Sequence, residues 1–342
     1  MQKFIYLKVE ILSGFFMAKK TIKASQSTKT KKVAQNRKAA KPVSIQPINS
    51  EEFLIKGLSS SRKHIAASSH ILPELLYNIT PSTKSLGYNR GFQIGLRLCV
   101  NHNKANNITP LINALENAGF RHILYHPHKN NVIIEAHHHP EHEIGAPKDM
   151  HVFEAGLIAG YLTQSTGMEM NGVENQCVHR GGNMCQFLIE LNPDIRRIES
   201  FEGMDQISEV MRSTLLKKRM EREISENYFA LQMLPFTEGP LHIEVSKLLY
   251  VLGERVGLNF KINEQTMEKL STLFCLKEIK IIKEKKRVRG IRIDYKHNLS
   301  TAAYTDLVSA FLTGMIFSIY NRTPKPSRRL NGSGTYTVEL AI

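Results

Sequence analysis

Apolar positions along the chain change period several times, and the order of the changes occurs twice. Between Leu86 and Val100, Gly87, Tyr88, Gly91, Phe92, Gly95, Leu96 and Leu98 recur mostly three and four residues apart, which predicts a helix. Glycine is a poor helix former, so three on one helix point to close packing against another element or to room for a ligand chain. Thr109–Gly119 predicts a second helix, with Thr109 as cap, Pro110 in the first turn and Gly119 as the stop. The period then shortens. RHILYH and NNVIIEAHH predict a hairpin joined by PHKNN. Helical spacing returns over His151–Gly167, and NGVENQCVHRGG with NMCQFLIEL predicts a closing strand pair. Helices followed by strands in this order indicate an α+β class with a mostly antiparallel sheet.

Residues 43 to 70 are polar and read as loop and helix cap. Residues 192 to 233 are rich in Glu, Lys, Arg, Met and Leu. Ile207, Val210, Met211, Leu215 and Leu216 fall at helical spacing there, which predicts a long helix or helical linker. The last hundred residues then retrace the first pattern. HIEVSKLLYVLGERVGLNF parallels the glycine-bearing helix, TMEKLSTLFCL parallels PLINALENAGF, and KEIKIIKEKKRVRGIRIDYK is another hairpin. YTDLVSAFLTGMIFSIYN matches the helix around AGLIAGYL, with Gly314 falling where Gly160 falls, and GSGTYTVELA matches GGNMCQFLIEL. Matched points lie roughly 150 to 158 residues apart, as an internal duplication of one α+β unit requires. The expected organisation is a disordered basic tail (1–50), a first unit (51–191), a helical linker (192–235) and a degenerate second unit (236–342).

Composition narrows the class. The 342 residues are 42% hydrophobic and 23% charged, which excludes collagen-like, coiled-coil and wholly disordered chains. No run of 18 apolar residues occurs, so no membrane span is expected. Four cysteines in so long a chain are not a disulfide scaffold and suit a reducing compartment. The net charge is +15, but residues 17–42 hold nine Lys/Arg and no acid, and residues after 42 carry only +5. A tail of that composition is expected to be disordered. It reads either as an electrostatic anchor for nucleic acid or an anionic surface, or as a solubilising extension. MQKFIYLKVEILSGFF has signal-peptide character, yet Lys8 and Glu10 interrupt it and no small-residue cleavage site follows. An upstream start before Met17, and a cytoplasmic location, are expected instead.

Chemistry concentrates in the first unit. Cys177 and Cys185 flank Gly181–Gly182, Glu174 stands three before Cys177, and His151 starts the preceding helix. Thiolates and imidazole with a fourth ligand suit zinc. The spacing also fits two ordinary buried thiols. His137–Glu143, within the run Glu135–Glu143, contains four histidines and two acids, either a metal-gripping lid or a solvated loop. The hairpin Lys277–Lys296 holds nine Lys/Arg against three acids. Its Lys283, Lys285, Lys286, Arg287 and Arg289 could track a phosphate backbone or form a solvated sheet face. With only Tyr295 nearby, base stacking is not indicated. No G-x-S-x-G, G-x-G-x-x-G or P-loop occurs, and Cys99 and Cys275 sit in apolar contexts that predict core packing.

The stretch His151–Ile189 resembles the 4-vinyl reductase domain. The residues that carry the likeness are Gly156 and Gly160 on a helix, Glu174 three before Cys177, the turn at Gly181–Gly182, and Cys185 leading into Gln186, Phe187 and Leu188. Upstream, GYNRGFQIGLRL and ALENAGF suit the same family, so the likeness spans roughly residues 75–191. His151 departs from the pattern, standing where the family has a cysteine, which leaves a His/Cys/Cys set. The resemblance implies a small-molecule-binding fold similar to that of nitric-oxide sensors and vesicle-tethering subunits, an apolar cavity between helices and sheet, and homodimers. It further implies zinc at His151, Cys177 and Cys185, with Glu174, a residue of the His-rich loop or water as the fourth ligand, and a hydrophobic-ligand pocket lined by Phe92, Leu96, Phe153, Leu157 and Tyr161. In the second unit, Arg328 and Thr335 stand near where the thiols would be, so no second metal site is expected. A non-enzymatic binding or sensing protein is the first reading. A nucleic-acid-associated factor and a metal-dependent enzyme with Glu174 beside an open metal position are the alternatives.

Overall fold

The computed structural model describes residues 51–59, 71–102, 107–137, 151–178, 182–191, 204–216, 224–238, 241–258, 260–284, 287–295, 302–330 and 336–342. The expectations for the basic tail lie outside the described residues. Helix α1 (Glu51–Leu58) stands inside the lead-in that the sequence assigns to loop, because Leu54, Ile55 and Leu58 share one buried face. α2 (Ile71–Tyr77) follows, then α3 (Pro81–Val100). A capping box starts α3: the Thr80 hydroxyl accepts the Thr83 N–H, and the Thr83 hydroxyl accepts the Thr80 N–H. α4 (Thr109–Asn117) corrects the predicted cap. Thr109 is the first helical residue, and its N–H donates to the side chain of Asn107 at 3.1 Å. Gly119, at φ 92°, ends this segment in the left-handed region as expected.

β1 (Arg121–Pro127), β2 (Asn131–His137), α5 (Val152–Thr166), β3 (Asn171–Gln176) and β4 (Cys185–Glu190) complete the first half. Its sheet is antiparallel throughout, in the order β1-β2-β4-β3. After α6 (Met204–Leu216) and α7 (Glu226–Glu238) come α8 (His242–Gly257), α9 (Glu264–Leu273), β5 (Glu278–Glu284), β6 (Arg287–Asp294), α10 (Ala302–Tyr320), β7 (Lys325–Leu330) and β8 (Tyr336–Ala341). The second sheet has the order β5-β6-β8-β7, again antiparallel. Element order and strand order are thus the same in both halves. β7, KPSRRL, has no apolar alternation and was not legible as a strand.

In each half a helix pair packs backbone to backbone through glycine. A Cβ on Gly91 would lie 2.0 Å from the carbonyl oxygen of Phe153, and one on Gly156 would lie 2.1 Å from that of Tyr88. Gly95 and Gly160 repeat the contact one turn on. In the second half, Gly253 faces the Phe311 carbonyl and Gly314 the Tyr250 carbonyl, both at 2.0 Å. Gly253 and Gly314 face Phe311 and Tyr250 as Gly95 and Gly160 face Leu157 and Phe92, the arrangement that the sequence match of Gly314 with Gly160 requires. Helix α10 reaches its end seven residues past Gly314, at Asn321, as α5 reaches its end seven residues past Gly160, at Gly167. Close helix contact, rather than room for a ligand chain, is what these glycines provide.

The stretch read as a helical linker is helical where described, but α7 is a core element. Tyr228, Phe229, Leu231, Met233 and Phe236 are buried. The Phe236 ring lies 4.8 Å from that of Tyr77 in the first half, and the Phe229 ring 6.4 Å from that of Tyr304 in the second. Within α10, Ala303–Tyr320 is long and apolar enough to cross a membrane by length and composition. Half of that window is buried and its glycine seats against α8, as expected of a core helix.

Because backbone meets backbone, alanine at Gly91, Gly156, Gly253 or Gly314 should destabilise the fold by about 3 kcal/mol or more, beyond the usual overpacking range. Gly167→Ala has open space around it but a φ of 71°, so about 1 kcal/mol is expected. Urea midpoints at unchanged m-value would measure both.

Candidate metal centre

The centre forms where the start of α5 meets the β3–β4 hairpin. His151 is the N-cap of α5, but its side chain makes no capping bond and turns toward the strands. Glu174, in β3, holds it at two points. Oε2 accepts the His151 backbone N–H at 3.2 Å, and Oε1 lies 2.6 Å from Nδ1. Cys177 follows β3, with its Sγ 3.7 Å from His151 Nδ1. Cys185 opens β4. Between the thiols, the Gly182 N–H donates to the Cys177 carbonyl at 3.0 Å, while Gly181 of the expected turn lies outside the described residues. One ligand atom from each of His151, Glu174, Cys177 and Cys185 lies within 4.8 Å of the others, and all four residues are buried.

The donor set fits a borderline-soft cation. Tetrahedral zinc bonds of the usual lengths place an imidazole nitrogen and a thiolate sulfur about 3.6 Å apart, close to the 3.7 Å seen between Nδ1 and Cys177. Two of the four ligands, Cys185 and Glu174, favour the deprotonated form that ligation needs, while His151 and Cys177 hold protons that a metal must displace. Cys177 pairs with Cys185 and holds its thiol low, at about 5, against the opposing effect of burial. The same pairing, with burial, pushes Cys177 up. Burial would lower His151, but the charges of Glu174, Cys185 and Glu74 hold it well above the ordinary imidazole value. Burial would raise Glu174, and the His151 charge and hydrogen bond lower it instead. A buried thiolate and carboxylate beside an imidazolium form a cavity of negative charge that a divalent cation can neutralise while displacing protons. Phe120 and Phe187 wall it, with ring centroids 5.2 and 6.2 Å from the imidazole.

Sequence reasoning missed the surrounding polar layer. Glu154, one turn into α5, is fully buried. Its Oε1 accepts the Tyr228 hydroxyl at 2.7 Å and the Gln232 amide at 3.0 Å, both from α7. Tyr77, in α2, donates to the Gln232 carbonyl. Glu74, also in α2, places Oε1 3.5 Å from His151 Nε2. The available signal was a lone acid inside an apolar helical run: Glu154 in HVFEAGLIAGYL and Glu74 in ILPELLY.

Of the residues predicted to line a pocket, Phe153, Leu157 and Tyr161 are buried on α5, while Phe92 and Leu96 are half-buried on α3. Phe153 packs against Tyr77 and Tyr228, and the Tyr161 hydroxyl donates to the Asn107 carbonyl. In the second half, strand register sets Arg328 opposite Val338, as Glu174 stands opposite Phe187. Arg328 therefore takes the place of Glu174, not of a thiol, and Tyr336 takes that of Cys185. On the basic hairpin, Lys283, Arg287 and Arg289 are exposed, and Lys285 and Lys286 lie outside the described residues. Lys283, Lys280 and Arg292 face Glu264, Glu278 and Asp294 at 3.3, 2.7 and 3.4 Å. A nucleic-acid partner gains no support from this arrangement. Of the His-rich loop, Glu135 and His137 belong to β2, where the Gln186 amide donates to Glu135 at 3.0 Å. His138–Glu143 lies outside the described residues.

Burial raises the Glu154 carboxyl above its ordinary value. Its contribution to stability is therefore fullest in acid and is lost as pH rises through the raised value. Glu154→Gln, which mimics the protonated form, should gain stability relative to the parent as pH rises from acid toward neutral. Tyr228→Phe should cost about 1–3 kcal/mol by removing a buried donor. Chemical denaturation at matched metal content would test both.

No curated protein and no solved structure matches the chain. Residues 130–191, a minority of the sequence, match the model of the 4-vinyl reductase domain. The segment that supplies β2, α5, β3, β4 and all four residues of the candidate centre is thus similar to a 4-vinyl reductase domain.

Proposed function

We propose that this protein binds a hydrophobic small molecule without chemically transforming it, and that its first half is held together by a structural zinc ion. The observation that carries the metal reading is the buried convergence of His151, Glu174, Cys177 and Cys185. Two thiolates, an imidazole and a carboxylate complete a four-coordinate zinc shell from protein alone, and a closed shell is the signature of a structural site. Zinc bound there supplies a cross-link and no reaction. His151 ties it to α5, Glu174 and Cys177 to β3, and Cys185 to β4. The small-molecule reading rests on the 4-vinyl reductase domain match of residues 130–191. Phe92, Leu96, Phe153, Leu157 and Tyr161 are the proposed pocket side chains, on the two helices that the zinc-bound strands support.

The repeated element and strand order supports an origin by duplication of one such unit. The second copy has Arg328 and Tyr336 at the positions of Glu174 and Cys185, so zinc belongs to the first copy.

Elemental mass spectrometry of the untagged full chain, purified under reducing conditions, should find about one zinc per chain. Cys177→Ser/Cys185→Ser should contain none and unfold at a lower temperature. Chelation should lower the midpoint of the parent toward that of the variant. A parent chain free of metal, with thiols that the variant replaces at no loss of stability, would reduce Cys177 and Cys185 to core residues.

A further inference from the structure

His151 raises a requirement that a cysteine ligand does not. A histidine binds a metal through one ring nitrogen as the neutral ring, and the proton then resides on the other nitrogen. That second N–H, buried here, needs an acceptor. The two nitrogens of His151 face different groups. Nδ1 points into the cluster, 2.6 Å from Glu174 Oε1 and 3.7 Å from Cys177 Sγ. Nε2 points the other way, 3.5 Å from Glu74 Oε1. Side chains of His151 and Glu74 are 0% and 1% exposed, so water does not compete for this contact. Glu74 comes from α2, which precedes the stretch matched by the family model. Its carboxylate sits in an otherwise apolar helix, ILPELLY, whose neighbours Leu72, Leu75, Leu76 and Tyr77 are all core residues. Burying a carboxylate there is unfavourable unless it has a partner to serve.

We propose that Glu74 is the positioning residue of the metal centre. At 3.5 Å the two groups stand at ion-pair distance; with metal on Nδ1 the carboxylate would accept the Nε2–H of His151, which fixes the tautomer that presents the Nδ1 lone pair to the metal and raises the basicity of that ligand. The proposal rests on the metal reading above and extends it to a residue outside the ligand set. It makes α2 part of the site: the helix acts on the metal through the imidazole without touching it. Glu74 and His151 then work as a pair, and neither is useful to the centre without the other.

The test is a double-mutant cycle on zinc affinity, measured by competition with a chromophoric chelator on the reduced full chain, with cobalt substitution reporting the ligand field. Glu74→Gln should weaken zinc binding by about 10- to 100-fold. In a His151→Cys background, which removes the imidazole but keeps a soft ligand, Glu74→Gln should change affinity less than about 2-fold. An equal loss in both backgrounds would make Glu74 merely structural, and no loss beside His151 would remove it from the site; either result overturns the proposal. Nitrogen-15 NMR of the zinc-loaded parent, with His151 assigned by substitution, avoids any folding defect in the variants. Metal-bound Nδ1 with protonated Nε2 is expected, and the opposite tautomer would also overturn it. A parent chain that binds no zinc brings down the metal reading and this one together. A zinc-binding parent indifferent to Glu74 brings down this one alone.

Discussion

Two helices in direct backbone contact set the geometry of everything else in the first half. Gly91 and Gly95 of α3 seat against Phe153–Tyr161 of α5, and Gly156 and Gly160 seat back against Tyr88 and Phe92. With no side chain between them, the depth of α5 is fixed to within a few tenths of an ångström, since interiors of this density do not deform smoothly. His151 and Glu154 leave the first turn of that helix. Their positions over the sheet therefore depend on glycines that touch neither residue.

From that placement follows an unusual concentration of ionisable groups. His151, Glu174, Cys177, Cys185, Glu74 and Glu154 are all buried. Isolated, each would be expensive to desolvate. Together they divide the burden: a low Cys185 thiol and a low Glu174 carboxyl face a raised imidazole, while Glu154, raised by burial, leans on Tyr228 and Gln232. A divalent cation at their centre would replace shared protons with fixed bonds. The Glu154 contacts extend the site to α7, and α7 touches the second half through Phe229 and Tyr304. The centre and the second half are thus joined by one continuous packed path.

The second half shows what the architecture retains without the chemistry. Its glycine contacts and strand order match those of the first, while Arg328 and Tyr336 stand at the positions of Glu174 and Cys185. Cys275 takes the left-handed place that Gly119 fills, at φ 47°, and the turn keeps the same closing hydrogen bond, Leu276 to Ser271 as Phe120 to Leu115. Backbone packing constrains these halves more strongly than side-chain identity does.

Sequence alone determined the elements whose signal is local. The glycine-spaced helices, both β1–β2 and β5–β6 hairpins and the stop at Gly119 follow from periodicity and backbone preference, which act over a few residues. The thiols and Glu174 were legible because a strand, a turn and a strand bring them together within a dozen positions. The tertiary structure decided whatever depends on distant segments meeting. α1 owes its place to burial against other helices rather than to pattern, and β7 owes its existence to pairing with β8. Glu74 reaches His151 from 77 residues away, and Tyr228 and Gln232 reach Glu154 from a stretch that reads as a linker. An acid in an apolar helix states in the sequence that it needs a partner; only the packing of α2, α5 and α7 names which one.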